Sequence, residues 1–120
     1  MSKIIPFPAF LPDRRLAQKI VCPPYDVITT SEARTLVEGN PCSLLHITRA
    51  EVDLPLSVYE YDISVYERAK VNFENFKKER YLFQDRPSLY VYRIITENHV
   101  QTGLVCGASV DEYDKGLIKK

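Results

Sequence analysis

The sequence predicts an α+β fold: a mostly antiparallel sheet with one long packed helix and one or two short helices. Two observations predict it. Apolar residues recur at helical spacing through residues 62–80, and two strand-like segments, 89–95 and 99–106, are separated by three polar residues. The 120 residues, of which 45% are hydrophobic, are enough to bury one core, so we predict a single domain over residues 1–120.

The first forty residues predict an extended arm and two short helices. Three prolines interrupt the apolar segment 3–12, which is typical of an edge strand or an arm. Residues 13–20 predict a short helix that ends at a pair of prolines. Thr29 and Glu32 then have the spacing of a capping box at the start of the second helix, which Gly39-Asn40-Pro41 ends.

The middle of the chain predicts a strand, a long connection and the long helix. Residues 43–49 are rich in β-forming side chains and predict the strand. The helix begins at Asp62 or Ser64 and ends at Arg80. The residues predicted to face the core are Ile63, Tyr66, Ala69, Phe73 and Phe76. The residues predicted to face solvent are Glu67, Lys70, Glu74, Lys77 and Lys78.

The last two strand-like segments predict a hairpin in which Arg93 is the unusual residue. Alternation places Arg93 on the same face as Val91 and Ile95. If that face packs on the core, Arg93 needs a carboxylate or an anionic ligand, because an unpaired buried charge costs several kcal/mol. If the other face packs on the core, Arg93 is simply solvated, and both interpretations stay open.

Charge and cysteine content limit the class of protein. Sixteen basic and sixteen acidic residues cancel, so we expect neither nucleic acid nor an anionic membrane as a partner. Three widely spaced cysteines fit neither a disulfide framework nor a zinc site. No apolar run approaches the ~20 residues of a membrane span, and we expect a cytoplasmic protein whose oligomeric state the sequence leaves open.

The turn at residues 21–27 is the strongest candidate for a binding site. Pro23 and Pro24 restrict the backbone, so Tyr25 and Asp26 can be presented at low entropic cost. On residue types alone, the same residues are more typical of a plain turn between two elements of the core.

His46 is the second candidate, because a histidine can act as an acid or base near neutral pH. Asp26, Glu51 or Asp53 could orient it or complete a metal site, and the alternative is a structural histidine. The four glycines form no phosphate-binding loop, so nucleotide binding by the common glycine-rich motifs is not expected.

Segments throughout the chain resemble one protein family. They are Pro6-Phe7, Cys22-Pro23-Pro24-Tyr25-Asp26-Val27, Glu32-Ala33-Arg34, Asn40-Pro41 with Ser43, Leu45 and His46, Asp53-Leu54-Pro55, Tyr90-Val91-Tyr92-Arg93, Gln101-Thr102-Gly103-Leu104-Val105, Ser109-Val110-Asp111-Glu112-Tyr113, and Gly116 with Ile118-Lys119-Lys120. Together they are similar to the bacterial and archaeal domain-of-unknown-function family numbered 1015. Its members are several times longer, so this resemblance implies the N-terminal part of a longer protein.

The resemblance also implies a chemistry. A later segment of the family is similar to a signature of the ParB/sulfiredoxin-like fold, whose members include nucleotide-using proteins and free-serine kinases. This implies phosphoryl chemistry, with a nucleotide and magnesium as candidate cofactors. The family's recurring polar residues match Tyr25, Asp26, Asn40, Ser43, His46, Arg49, Glu51, Arg93, Gln101, Thr102 and Lys119.

Two functions follow as hypotheses. The first is an enzyme that acts on a small phosphorylated metabolite such as phosphoserine, by phosphoryl transfer or phosphate hydrolysis. Asp26 and His46 are then catalytic, and the ligand-binding residues are Tyr25, Arg49, Arg93, Thr102 and Lys119.

The second hypothesis is a non-catalytic domain that senses a ligand or binds another protein. Cys22 and Cys42 stand where the family commonly has other residues, which argues against a required thiol.

Overall fold

The computed structural model describes residues 2–119, which form two compact units. The central unit is Leu11–Phe83, and the terminal unit combines the N-terminal segment up to Phe10 with the C-terminal segment from Gln84. The elements in chain order are β1 (Ile4–Ile5), β2 (Phe10–Pro12), α1 (Ala17–Ile20), α2 (Thr30–Val37), α3 (Leu45–Thr48), the 3₁₀ helix η1 (Ala50–Asp53), α4 (Ile63–Lys78), β3 (Leu82–Gln84), β4 (Tyr90–Thr96), β5 (His99–Val105), β6 (Gly107–Ala108) and α5 (Val110–Asp114).

The predicted α+β class is confirmed. The strands form two-stranded pairs, β1 with β6, β2 with β3 and β4 with β5, and the first and last of these are antiparallel. The long helix α4 spans sixteen residues. Among the described residues, no helix combines the length and apolar character needed to cross a membrane.

The core of the central unit consists of two clusters of buried side chains. Ile20, Cys42, Phe76 and Leu82 form the first. Ala33, Leu45 and Val52 form the second, which joins α2, α3 and η1. The second cluster matters for function because it fixes α3 and η1, the elements that carry the residues described in the next subsection.

Helix α2 begins with the predicted capping box. The Thr29 hydroxyl accepts a hydrogen bond from the N–H of Glu32 at 3.2 Å, and the Glu32 carboxylate accepts one from the N–H of Thr29 at 2.7 Å. This second bond holds the pKa of Glu32 below its usual value. Gly39 follows the helix in the left-handed region, at φ +67°, as the sequence predicts.

Removing this cap has a defined cost. We expect Thr29→Ala to lower the free energy of unfolding by about 1 kcal/mol, because the N–H of Glu32 loses its acceptor. Urea denaturation followed by circular dichroism measures the change. Thr35→Ala, on the same helix but at an exposed position, is the control for helix propensity. Equal stabilities of the two variants would contradict the role of the cap.

The predicted strand at residues 43–49 is wrong: this segment contains helix α3. The N–H groups of Thr48 and Arg49 donate to the carbonyls of Leu44 and Leu45 at 3.0 and 2.8 Å. Leu45 is fully buried against Ala33, on the second cluster. Burial of this side chain outweighs the weak β preference of the short segment.

Helix α4 has nearly its predicted bounds, but its buried face differs from the predicted one. Phe76 is buried as predicted, and Ala69 and Phe73 are half-buried. Ile63 and Tyr66, however, are 70% and 57% exposed, whereas Val65 and Asn72, which were not predicted, are buried. The difference arises because a polar residue, Asn72, belongs to the core face. A pattern that counts only apolar residues leaves Asn72 out and places the predicted buried face at a different position around the helix. The predicted charged face is confirmed, with Glu67, Lys70, Glu74 and Lys78 exposed and the Lys77 ammonium 2.7 Å from the Glu74 carboxylate.

The predicted hairpin is confirmed, with β4 and β5 paired in register from Tyr90 and Val105 to Thr96 and His99. Apart from the half-buried Tyr90, its residues are exposed, including those on both sides of the sheet. Arg93 is exposed opposite Thr102, and it forms no ion pair with any residue of the described part of the chain. The solvated interpretation of Arg93 therefore fits the structure, although neither face of the hairpin is the core face that the sequence led us to expect.

Candidate functional site

An open cavity of about 380 Å³ lies in the central unit. Its polar lining consists of Tyr25, Asp26, Thr48, Arg49, Glu51, Glu60, Tyr61 and Tyr66. Its apolar lining consists of Ile28, Ile47, Ala50, Val65 and Ala69. A concave site with apolar walls and a few convergent polar groups is the usual form of a small-molecule site.

Four segments bring the polar groups together. The proline turn presents Tyr25 and Asp26, and the N–H of Val27 closes this turn on the carbonyl of Pro24 at 3.2 Å. Arg49 stands at the junction of α3 and η1. Glu60 precedes α4, and Tyr66 projects from the first part of that helix. The positions of Tyr25, Asp26 and Arg49 thus follow from short segments next to the second cluster, whereas Tyr66 is carried by the long helix α4.

Arg49 is the central cation of the cavity. Its Nε lies 2.8 Å from the Glu51 carboxylate, although the N–H is not aligned for a hydrogen bond. Nη2 donates to the Thr30 hydroxyl at 2.8 Å and lies 3.7 Å from the Glu60 carboxylate. The side chains of Arg49 and Glu51 are 14% and 5% exposed, so this ion pair is largely removed from water.

The lining of the cavity is acidic. Asp26, Glu51 and Glu60 supply three carboxylates against the single guanidinium of Arg49. The Asp26 carboxylate is exposed and makes no hydrogen bond or ion pair with residues 2–119. It can therefore contact a ligand or accept a proton during a reaction.

A second polar network contains His46. Its Nδ1 lies 2.9 Å from the Asp53 carboxylate, and its Nε2 lies 3.1 Å from the carbonyl oxygen of Asn40. The Asn72 amide donates to Asp53 at 2.7 Å and to the carbonyl of His46 at 2.5 Å. Of the three carboxylates that the sequence offered as partners, Asp53 is therefore the one that orients His46. Both ring nitrogens are engaged, which is typical of a positioned histidine.

Arg34 binds the backbone of η1 and of the residue that follows it. Its two terminal nitrogens donate to the carbonyls of Glu51, Val52 and Leu54 at distances from 2.7 to 3.1 Å. These bonds satisfy the backbone oxygens of η1 and its end, where a short helix leaves carbonyls without partners. Arg34 thereby fixes the segment that presents Glu51.

The structure brings together three of the seven predicted site residues. Tyr25, Asp26 and Arg49 line one cavity, and His46 lies in the neighbouring network of the same unit. The remaining three, Arg93, Thr102 and Lys119, are exposed residues of the terminal unit. The roles assigned to all seven stay predictions.

Sequence reasoning missed Glu60, Tyr61, Tyr66 and Asn72. Glu60 and Tyr61 belong to a connection without periodicity, so no pattern marks them. Asn72 interrupts an otherwise apolar helix face, and that interruption is the signal that could have found it.

Within residues 2–119, no three His, Cys, Asp or Glu side chains are grouped so as to hold a metal ion. Burial raises the pKa of the Cys22 thiol, and a hydrogen bond with Thr48 opposes this effect. A raised pKa reduces the thiolate fraction at neutral pH and so lowers the nucleophilic reactivity of the Cys22 thiol.

Comparison with known proteins identifies the family. Searches of curated protein sequences and of solved structures each found no match. The family model described as "Protein of unknown function (DUF1015)" matches residues 4–120, which is nearly the whole chain. The chain that forms this acidic, tyrosine-lined cavity is thus a member of the DUF1015 family.

Proposed function

We propose that the chain is part of a cytoplasmic enzyme that acts on a small phosphorylated metabolite, with phosphoserine as the reference compound. The observation that supports this proposal most is the convergence of Arg49 and Asp26 on one cavity of about 380 Å³. This volume suits a metabolite of that size. Phosphoryl transfer or phosphate hydrolysis is the proposed reaction.

The two residues would have different roles. Arg49 is held by Thr30 and Glu51, so its charge is positioned before a ligand arrives, and such preorganised charge stabilises a transferring phosphoryl group. Asp26 has a free carboxylate on a restricted turn and would accept the proton of the attacking group. A nucleotide with magnesium remains the proposed cofactor, for which Asp26 and Glu60 offer the accessible carboxylates.

Thermal shift measurements test this function. We expect O-phosphoserine to raise the melting temperature of the chain, because a ligand that binds only the folded state stabilises it by about 2.7 kcal/mol at a hundred times its dissociation constant. Phosphate, serine, ADP and ATP, each with and without magnesium, complete the set. Arg49→Lys should reduce the shift, because Arg49 is the residue that would hold the phosphoryl group, and Asp114→Asn, an exposed residue of the terminal unit, should not. No shift with any of these compounds would contradict the proposal.

The hairpin favours a second candidate, a protein-interaction domain. Val91, Ile95, Val100 and Leu104 lie on one face, on either side of the central polar pair Arg93 and Thr102, and are between 54% and 71% exposed. A two-stranded hairpin with both faces in water is marginally stable, so a covering partner would stabilise it. Sedimentation velocity at increasing protein concentration tests for association, which Val91→Lys should weaken. A monomer at all concentrations would argue against self-association through this face.

A further inference from the structure

We infer that the cavity selects ligands that carry an ammonium group. This inference rests on the proposed function, because it concerns which phosphorylated metabolites the same site accepts. It is carried by one buried carboxylate with an unused oxygen, by the balance of charge in the cavity and by the exposed tyrosine rings around it.

The buried carboxylate is that of Glu51. Its side chain is 5% exposed and lines the cavity, and its Oε1 lies 2.8 Å from Arg49 Nε without hydrogen-bond alignment. Oε1 also has a long contact of 3.5 Å with the Thr30 hydroxyl, whereas Oε2 makes no hydrogen bond with any described residue. The Glu51 carboxylate therefore has one oxygen free to accept a hydrogen bond from a ligand in the cavity.

The charge balance leaves a negative excess beside the guanidinium. Arg49 can face a phosphoryl group, but its single charge is shared between Glu51 and Glu60, so the carboxylates of the lining are not fully neutralised. Asp26 adds a third carboxylate that no described side chain neutralises. An anionic ligand without a positive group would therefore meet repulsion, whereas an ammonium group would meet the carboxylates directly.

Three tyrosines complete the recognition surface. Tyr25, Tyr61 and Tyr66 line the cavity and are 61%, 63% and 57% exposed, so their rings are accessible to a ligand. The face of an aromatic ring attracts a cation, and the attraction is stronger where the pair is removed from water. Carboxylates combined with tyrosine rings are therefore suited to a primary ammonium group, and the phosphoryl group of the same ligand would lie toward Arg49.

A matched set of ligands tests this inference by isothermal titration calorimetry on the full chain. O-phosphoethanolamine and ethyl phosphate differ only in the ammonium group, and ethanolamine lacks the phosphoryl group. We expect O-phosphoethanolamine to bind about tenfold more tightly than ethyl phosphate. Asp26→Asn and Glu60→Gln should reduce this preference, and Asp114→Asn should leave it unchanged.

The outcomes separate the two claims. Equal affinity for O-phosphoethanolamine and ethyl phosphate would overturn the ammonium inference and leave the proposed function in place. Binding of ethanolamine as tightly as O-phosphoethanolamine would support ammonium recognition and count against a phosphorylated substrate. Absence of binding by all three compounds would overturn both. Glu51→Gln, which keeps the shape of the side chain, provides a further variant, and an unchanged preference in that folded variant would remove Glu51 from the site.

Discussion

Arg49→Ala is expected to lower the free energy of unfolding by about 3 kcal/mol, one of the two largest effects that the structure predicts for a single substitution. The substitution removes the partner of Glu51, whose side chain is 5% exposed, and leaves a buried carboxylate without a compensating charge. It also removes the donor to the Thr30 hydroxyl. Chemical denaturation at neutral pH measures the change.

Two further variants make this prediction specific. Arg68→Ala is the matched control, because the Arg68 guanidinium lies 3.8 Å from Asp53 but its side chain is 45% exposed, and such pairs contribute less than about 1 kcal/mol. The double variant with Arg49→Met and Glu51→Leu should regain much of the lost stability, because no unpaired charge stays buried. Equal losses for Arg49→Ala and Arg68→Ala would show that the Arg49 pair is not the buried pair described above.

Leu45→Ala is expected to cost about 3 kcal/mol as well, because Leu45 is fully buried and its truncation leaves a cavity in the second cluster. Leu56→Ala is the control, since Leu56 is 85% exposed in the same unit and should change stability by less than about 0.5 kcal/mol. Both changes are read from urea denaturation. If Leu45→Ala lowered the free energy of unfolding no more than Leu56→Ala, the result would contradict the burial of Leu45 in the second cluster.

Some features of the fold depend only on residues that are neighbours in the sequence. The capping box of α2 and the left-handed glycine after it were predictable because each depends on a few neighbouring residues. The pairing of β4 with β5 was similarly marked by a short turn between two β-rich segments. These features need no knowledge of the rest of the chain.

The strand predicted for residues 43–49 was wrong because its outcome depends on contacts outside the segment. A short apolar segment is compatible with a strand or a buried helical turn, and periodicity alone does not separate them. The outcome depends on Leu45 packing with Ala33 and Val52, which are distant in sequence. The rotated face of α4 has the same origin, since Asn72 is buried only because Asp53 and the carbonyl of His46 accept its hydrogen bonds.

The candidate site was partly predictable. Tyr25 and Asp26 were marked by the two prolines before them, and Arg49 by its place in the family resemblance. Their convergence with Glu60 and Tyr66 was not predictable, because it is set by how the turn, η1 and α4 pack in the central unit. The pairing of His46 with Asp53 was one of three alternatives until the structure distinguished them.

The central claim is that the cavity around Arg49 and Asp26 binds a small phosphorylated ligand. Amide chemical-shift mapping by ¹H–¹⁵N NMR during titration with O-phosphoserine tests it most directly. The account predicts shifts concentrated in residues 25–28, 47–51 and 60–69. Shifts confined to β4 and β5, or no shifts at millimolar ligand, would contradict it.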